Sequence, residues 1–339
     1  MATAQATHKS VAMPTMRKET NLWIDSLRRL VHNRAAVVGG IILLALLFVF
    51  IFADLVAIQP YDRQVPQDNN KMPAWLIALF PSTSNYAKVT SKYPMGADDL
   101  GRDLWSRVIY GTRISLSVAL VGPLLAFLIG TTYGLISGFI GGRVDDVMMR
   151  IVDVMYAFPT LLLIIIMMAF FRSSFSGIAE EGTLAYTLNG IDSATGGMLF
   201  IFIGIGLTSW MGNARLTRGQ VLSVREKEFV EAARSIGSGN RRIMFQHIFP
   251  NIIGPIIVYE TLAIPGYIAF EAFLSFIGLG VNPPTPSWGI MIADGARNIR
   301  TYPHLVLLPA LALAVTMFAF NFLGDGMRDA LDPRMRGTQ

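Results

Sequence analysis

Two acidic residues in an otherwise apolar run, Glu260 and Glu271, are the first candidates for chemistry. A carboxylate is costly inside a membrane, and where one persists it marks a solute or ion path, or pairs with a polar group across a helix interface. Either Glu could also sit close to a membrane surface. A second cluster, Asp98, Asp99, Arg102 and Asp103, could form an external carboxylate site, but its spacing better suits a capped, salt-bridged helix start. The four histidines, His8, His32, His247 and His304, are scattered and form no HExxH, which argues against a zinc hydrolase. With no Cys in the chain, disulfides, thiolate catalysis and Cys-ligated metals are excluded. No GxxxxGK[ST] occurs, so the chain cannot cradle nucleotide phosphates in a P-loop. Ser, His and Asp fall at no spacing that suggests a catalytic triad.

The elements that must position these residues are membrane helices. Of 339 residues, 53% are hydrophobic and 15% charged, against about 25% charged in an average soluble domain. Six long apolar runs stand out: 35–53, 114–139, 154–171, 197–214, 251–277 and 305–323. The first would be about 28 Å long as a helix, close to the thickness of a bilayer core. Its length and its position 34 residues into the chain argue against a cleaved signal peptide. The fifth, which holds both Glu residues, is the least apolar and should insert with help from its neighbours. Pro123, Pro159, Gly130, Gly134, Gly204 and Gly206 fall in the second to fourth runs, where they permit kinks and close helix approach. The expected fold is all-α and polytopic, with six transmembrane helices.

Six spans put both termini on one side. Segments on that side hold 18 of the 28 Lys and Arg, against 10 on the other, so both termini are expected in the cytoplasm. The basic balance then reads as an orientation signal toward the lipid bilayer and not as a nucleic-acid footprint. The expected organisation is a cytoplasmic N-terminal tail (1–34), a first span (35–53), an extracytoplasmic segment (54–111), a five-helix core (112–325) and a cytoplasmic C-terminal tail (326–339). Residues 1–15 are expected to be disordered. From Met16 to Asn33, Trp23, Leu27, Leu30 and Val31 recur at helical spacing among basic residues. That suits an interfacial amphipathic helix, or equally a positively charged flank of no fixed shape.

Between the fourth and fifth runs lies RLTRGQVLSVREKEFVEAARSIGSGNRRIMFQHIFPN. Ser223 with Glu226 fits a capping box, which predicts a helix ending at Gly237. A second short helix is expected over Ile243 to Ile248, stopping at Pro250. Two such helices, with an exposed Arg241–Arg242 pair, fit a knob built to enter another protein's groove, or a connector lying on the bilayer.

The stretch EAARSIG…Pro250 resembles the EAA loop of binding-protein-dependent ABC importers: EAA, three residues, Gly, nine residues, then I-x-L-P. Glu231, Ala232, Ala233, Gly237 and Pro250 fall on that pattern, while His247 and Phe249 depart from its Ile and Leu. MGADDLGRDLWSRVIYGTRISL, GGRVDDVMMRIVDVMYAFP, EAFLSFIGLGVNPPTPSWG and LGDGMRDALDPRMR are similar to segments of the C-type dipeptide and oligopeptide permeases. The resemblance runs from about Met95 to Arg336. It implies a type I ABC importer permease fold and a transport subunit, not an enzyme, in a bacterial or archaeal plasma membrane. It also implies a second homologous permease subunit of B type, two ATP-binding subunits that use ATP and Mg, and an extracytoplasmic solute-binding protein that delivers peptide. No cofactor or metal would be bound by this chain. The coupling loop would be 223–250, with Glu231, Ala232, Ala233, Gly237, Arg241, Arg242, His247 and Pro250 as its contact residues, and Glu260 and Glu271 remain candidates for the path. Related systems carry nickel or glutathione. An ion-coupled carrier, or a loop that recruits a signalling partner, would have a different energy source or none.

Overall fold

A computed structural model describes residues 22–175 and 182–331. The expected disordered tail (1–15) and the chain beyond Leu331 lie outside those residues. Helix α1 (Leu22–His32) covers most of the predicted amphipathic segment, with Ile24, Leu27 and Val31 exposed. Asn33 then caps α2 (Arg34–Ile51), its side chain accepting from the amides of Ala35 (3.1 Å) and Ala36 (3.2 Å). Only Ala36 and Gly39 of α2 are buried. A Cβ at Gly39 would stand 2.6 Å from the Ala319 carbonyl oxygen, so the bare glycine is what lets the first span touch the last.

After a short α3 (Ala53–Val56), the connecting segment carries a two-residue parallel pair, β1 (Met72–Pro73) with β2 (Val89–Thr90), and the short α4 (Ala74–Leu79). Asp68 organises it. Its carboxylate accepts from Lys71 Nζ (2.5 Å), Tyr93 OH (2.8 Å) and Lys92 Nζ (3.0 Å), and these donors hold it well below the usual carboxylate range.

The second span, α5 (Leu104–Ile140), begins ten residues before the apolar run. Its start is the capped, salt-bridged one the spacing favoured. Asp103 accepts from the Ser106 amide at 3.0 Å, and Asp98 pairs with Arg102 (2.7 Å) and Arg107 (3.3 Å). Helices α6 (Gly142–Ala157) and α7 (Thr160–Phe175) follow. The expected single third span is instead this pair, bent by 81°. Pro159 disfavours helical backbone at the preceding residue, and Phe158 is extended (φ −83°, ψ 134°). Helix α8 (Leu184–Ala194) leads to α9 (Leu199–Val224), the fourth span. Next come α10 (Glu228–Ser235) and α11 (Asn240–Arg242), which passes through a π-helical stretch, Ile243–Ile248, into α12 (Phe249–Phe276). Helix α13 (Trp288–Ala296) and the last span, α14 (His304–Leu331), complete the chain. Among the described residues five helices are long and apolar enough to cross a membrane, or six if the bent pair counts as one span.

The central seam joins α5 to α9. Cβ atoms at Gly130, Gly134 and Gly138 would meet Asn213 Cβ at 2.8 Å, Thr217 Cβ at 2.7 Å and Val221 Cβ at 2.9 Å. One small face of α5 therefore lies directly on α9. In lipid, helices gain no hydrophobic drive from meeting each other, so close packing and hydrogen bonds must hold them. Asn213 supplies the latter, its Nδ2 donating to the Ala126 carbonyl (3.1 Å) and Thr131 Oγ1 (3.2 Å) while its Oδ1 accepts from Thr217 (3.1 Å).

Two outcomes follow. Gly134→Leu should cost about 1–3 kcal/mol or more through overpacking, read as a lower midpoint of thermal unfolding in detergent. Asp68 has a depressed pKa in the folded chain. Its contribution is therefore fully present above the unfolded value of about 3.9 and is lost as pH falls below it. Protease sensitivity of the segment 57–103 should rise in acid, and Asp68→Asn should be sensitive already at neutral pH.

Candidate functional site: a projecting loop and a buried carboxylate

The loop's base is built from three spans. Arg218 on α9 forms a two-pronged pair with Asp145 on α6, both contacts 2.6 Å, and Ser137 on α5 donates to the same carboxylate at 2.5 Å. About two turns further, just past the end of α9, Arg225 Nη1 reaches the Gly138 carbonyl at 2.9 Å. With these bonds α9 runs to Val224, into the expected capping box. Ser223 donates to the Gln220 carbonyl within the last turn of α9, and α10 starts only at Glu228, after Lys227. The box residues are legible in sequence, but the helix ending there already occupies them.

Helix α10 has one face set into the bundle. Val230 and Ala233 are buried with Leu135, Phe139, Val221, Ile243 and Ile248. The opposite face is open: Glu231 and Ala232 are exposed, and Phe229 and Ile236 are 38% and 82% exposed. The two alanines of the motif therefore do different work. Ala233 lets α10 sit close to the core, while Ala232 keeps the outer face low. Gly237 ends the helix as its position predicts, at φ +80°, with its own N–H donating to the Arg234 carbonyl (2.9 Å) and that of Ser238 to Ala233 (3.0 Å). This pair of bonds satisfies carbonyls left free at the helix end, and it requires a residue tolerant of left-handed backbone.

Beyond the turn, Gly239, Arg241, Arg242, Phe245 and Gln246 line a concavity of about 700 Å³. Arg241 and Arg242 are exposed, Arg242 donating to Gln246 Oε1 at 2.9 Å. The second short helix does not stop at Pro250. Pro250 lies in the first turn of α12, where a missing N–H costs nothing, and the π-helical stretch before it carries the chain through without a break. His247 is half-buried in that stretch, its carbonyl accepting from Asn251 at 2.7 Å.

The two intramembrane carboxylates part company. Glu271 is fully buried and its oxygens are bonded, accepting from Ser275 (2.6 Å) and Ser115 (3.3 Å), while Ser287 at the start of α13 donates to Ser275 (3.2 Å). It fastens α12 to α5 and α13. Glu260, 5% exposed, receives one long bond from Tyr267 OH at 3.3 Å, and among the described residues its Oε1 has no partner. Tyr267 lines a cavity of about 240 Å³ between α7, α9 and α12, with Thr160, Thr208, Ser209, Gly266 and Phe270 among its walls. Neither Glu260 nor Glu271 is itself among them; Glu260 reaches the cavity wall through its bond to Tyr267. Sequence reasoning missed the hydroxyls of this cavity, because Ser and Thr inside spans most often bond their own helix, as Ser209 does to Ile205 (2.6 Å).

Six spans around a glycine-packed seam, with a rigid loop projecting from one end, describe a polytopic helical membrane protein. A family model described as "Binding-protein-dependent transport system inner membrane component" matches residues 130–337, and one described as "N-terminal TM domain of oligopeptide transport permease C" matches residues 21–73. The chain is 38% identical to the oligopeptide transport system permease protein OppC of Haemophilus influenzae, over 93% of this chain and 90% of that protein. It is 36% identical to the dipeptide transport system permease protein DppC of Bacillus subtilis, over 96% and 89% respectively. Among solved structures, inward facing conformations of the MetNI methionine ABC transporter align at 15% identity and a TM-score of 0.48, over 67% of this chain and 97% of that one. The chain belongs to the family of binding-protein-dependent transport system inner membrane components. It is a multi-pass membrane transport subunit.

The base of the loop is open to test. Asp145→Asn leaves Arg218 facing a neutral amide, and should lower stability by about 1–3 kcal/mol, measured as earlier thermal unfolding. The paired change Asp145→Asn with Arg218→Gln should recover part of that loss.

Proposed function

We propose that this chain is the C-type permease subunit of an ABC importer for oligopeptides or dipeptides, in a bacterial or archaeal plasma membrane. With a homologous B-type permease it encloses the path taken by peptide from an extracytoplasmic solute-binding protein. Two separate ATP-binding subunits, using ATP and Mg, drive the cycle. The family and its peptide-permease members support this reading, and so does the Lys and Arg excess on the side of the loop and both termini, the charge bias of cytoplasmic segments.

The observation that carries the mechanism is the two-sided build of α10. Its inner face is locked to three spans through Val230 and Ala233, and its outer face offers Phe229, Ile236 and, across the turn, Phe245 and Arg241 to a partner. A part docked there would move α10 as a rigid body. The buried side would pass that motion directly to α5, α9 and α12. Glu231, Ala232, Gly237, Arg241, Arg242, His247 and Pro250 belong to this contact element, with Ala233 on its buried side. Closure of the ATP-binding subunits would thereby re-orient the solute cavity, with no chemistry on the solute.

The test is reconstitution of the chain with its partner permease, ATP-binding subunits and binding protein in proteoliposomes. Uptake of peptide should require ATP and persist when ion gradients are collapsed. Uptake driven by an ion gradient without ATP would overturn the assignment, and preferred uptake of glutathione or nickel would redirect the solute class. Gly237→Val forces a β-branched residue into left-handed backbone at a cost of about 1–3 kcal/mol. It should leave ATP hydrolysis in place while cutting uptake by about tenfold or more, with membrane insertion unchanged.

A further inference from the structure

Glu260 and Glu271 lie on one helix, three turns apart, yet only one has its oxygens bonded within the chain. Glu271 is closed off by serines from α5 and α12. Glu260 is also buried, holds one long bond, and among the described residues leaves Oε1 unpartnered. Buried polar groups in folded proteins are nearly always paired, so an open acceptor at this depth needs a physical reason.

The apolar stretches of the helices packed against α12 carry no Lys or Arg. Helix α12 packs against α5, α9, α13 and α14. No Lys or Arg occurs between Arg242 and Arg297, between Arg113 and Arg143, from Leu199 to Ala214, or from His304 to Met327. Arg215, the first cation on α9, is already taken by Asp153 (2.5 Å) and by the face of Tyr156 (4.2 Å). A buried carboxylate without a cation beside it takes up a proton, so Glu260 carries charge only when a cation from outside the described residues pairs with it. That cation would arrive along the helix face that Glu260 shares with Ala263 and Tyr267, both of which line the cavity walled by the hydroxyls of Thr160, Thr208 and Ser209.

We propose that the Glu260 carboxylate, held by Tyr267, is a transient docking point in the path for the protonated amino group of a passing solute. This rests on the peptide-permease reading, since a free peptide carries a primary ammonium at its amino terminus. Charge pairing would draw the leading end of the solute into the cavity, and the hydroxyls would then take its backbone groups. Because one oxygen of Glu260 is unbonded and the other weakly bonded, the carboxylate accepts the ammonium without first losing strong internal bonds.

The absence of Cys from the chain makes the test direct. In the full assembly, Glu260→Cys should react with a cationic methanethiosulfonate during ATP turnover, scored by the mass of this chain, and saturating trialanine should slow that reaction about tenfold. Glu260→Gln should lower trialanine uptake about tenfold at matched amounts of assembled complex, and Glu260→Asp, which keeps the charge, should recover most of it. A Cys variant that never reacts, showing a position sealed by protein, or one whose labelling ignores trialanine, overturns the site. So does unchanged uptake by Glu260→Gln. Lack of ATP-driven trialanine uptake by the unaltered assembly would instead overturn the peptide-permease reading on which the site depends.

Discussion

The close contact of α5 with α9 is the constraint on which the rest of this molecule depends. Without side chains at Gly130, Gly134 and Gly138, the two helices approach until Asn213 can bridge to the Ala126 carbonyl, and their ends meet where Asp145 binds Arg218. In a lipid solvent this contact has to be made by shape and hydrogen bonds alone. Everything at the loop end follows from it. Arg225 reaches the end of α5 only because α9 is pressed along it, and α10 finds its bed of Leu135, Phe139 and Val221 only because both helices end together.

The same logic separates rigid from responsive parts. Several carboxylates buried near helix ends are bonded: Asp98 by Arg102 and Arg107, Asp145 by Arg218 and Ser137, Glu271 by its serines. They pin helices in register. The break at Pro159 falls beside the cavity that Thr160 lines, and the π-helical stretch Ile243–Ile248 lies where the loop passes into α12. Glu260 differs from these, being buried and only weakly bonded, next to the cavity-lining Tyr267.

Much of the helix count, the capped start of α5 and the Gly237 turn were legible in the sequence because each rests on local chemistry: apolar run length, an Asp at an N-cap, a glycine after a helix. Where local signals competed, the sequence misled. Ser223 and Glu226 have the right spacing for a helix start, yet Ser223 lies in the last turn of α9, which Arg218 and Arg225 tie to α6 and α5, and α10 starts only at Glu228. Pro250 looks like a stop but sits in a first turn. Ser, Thr and Tyr hydroxyls around the cavity gave no periodic signal at all.

Composition and residue order alone determined that the chain crosses a membrane, which side bears the positive charge, and that a short loop carries the importer motif, because hydrophobic insertion and charge asymmetry act segment by segment. Tertiary structure alone decided which alanine of the motif faces inward, and which of two chemically identical carboxylates is satisfied. Those outcomes depend on groups 156 residues away, as with Ser115 and Glu271, and no spacing rule within a single helix encodes what a neighbouring helix will bring to it.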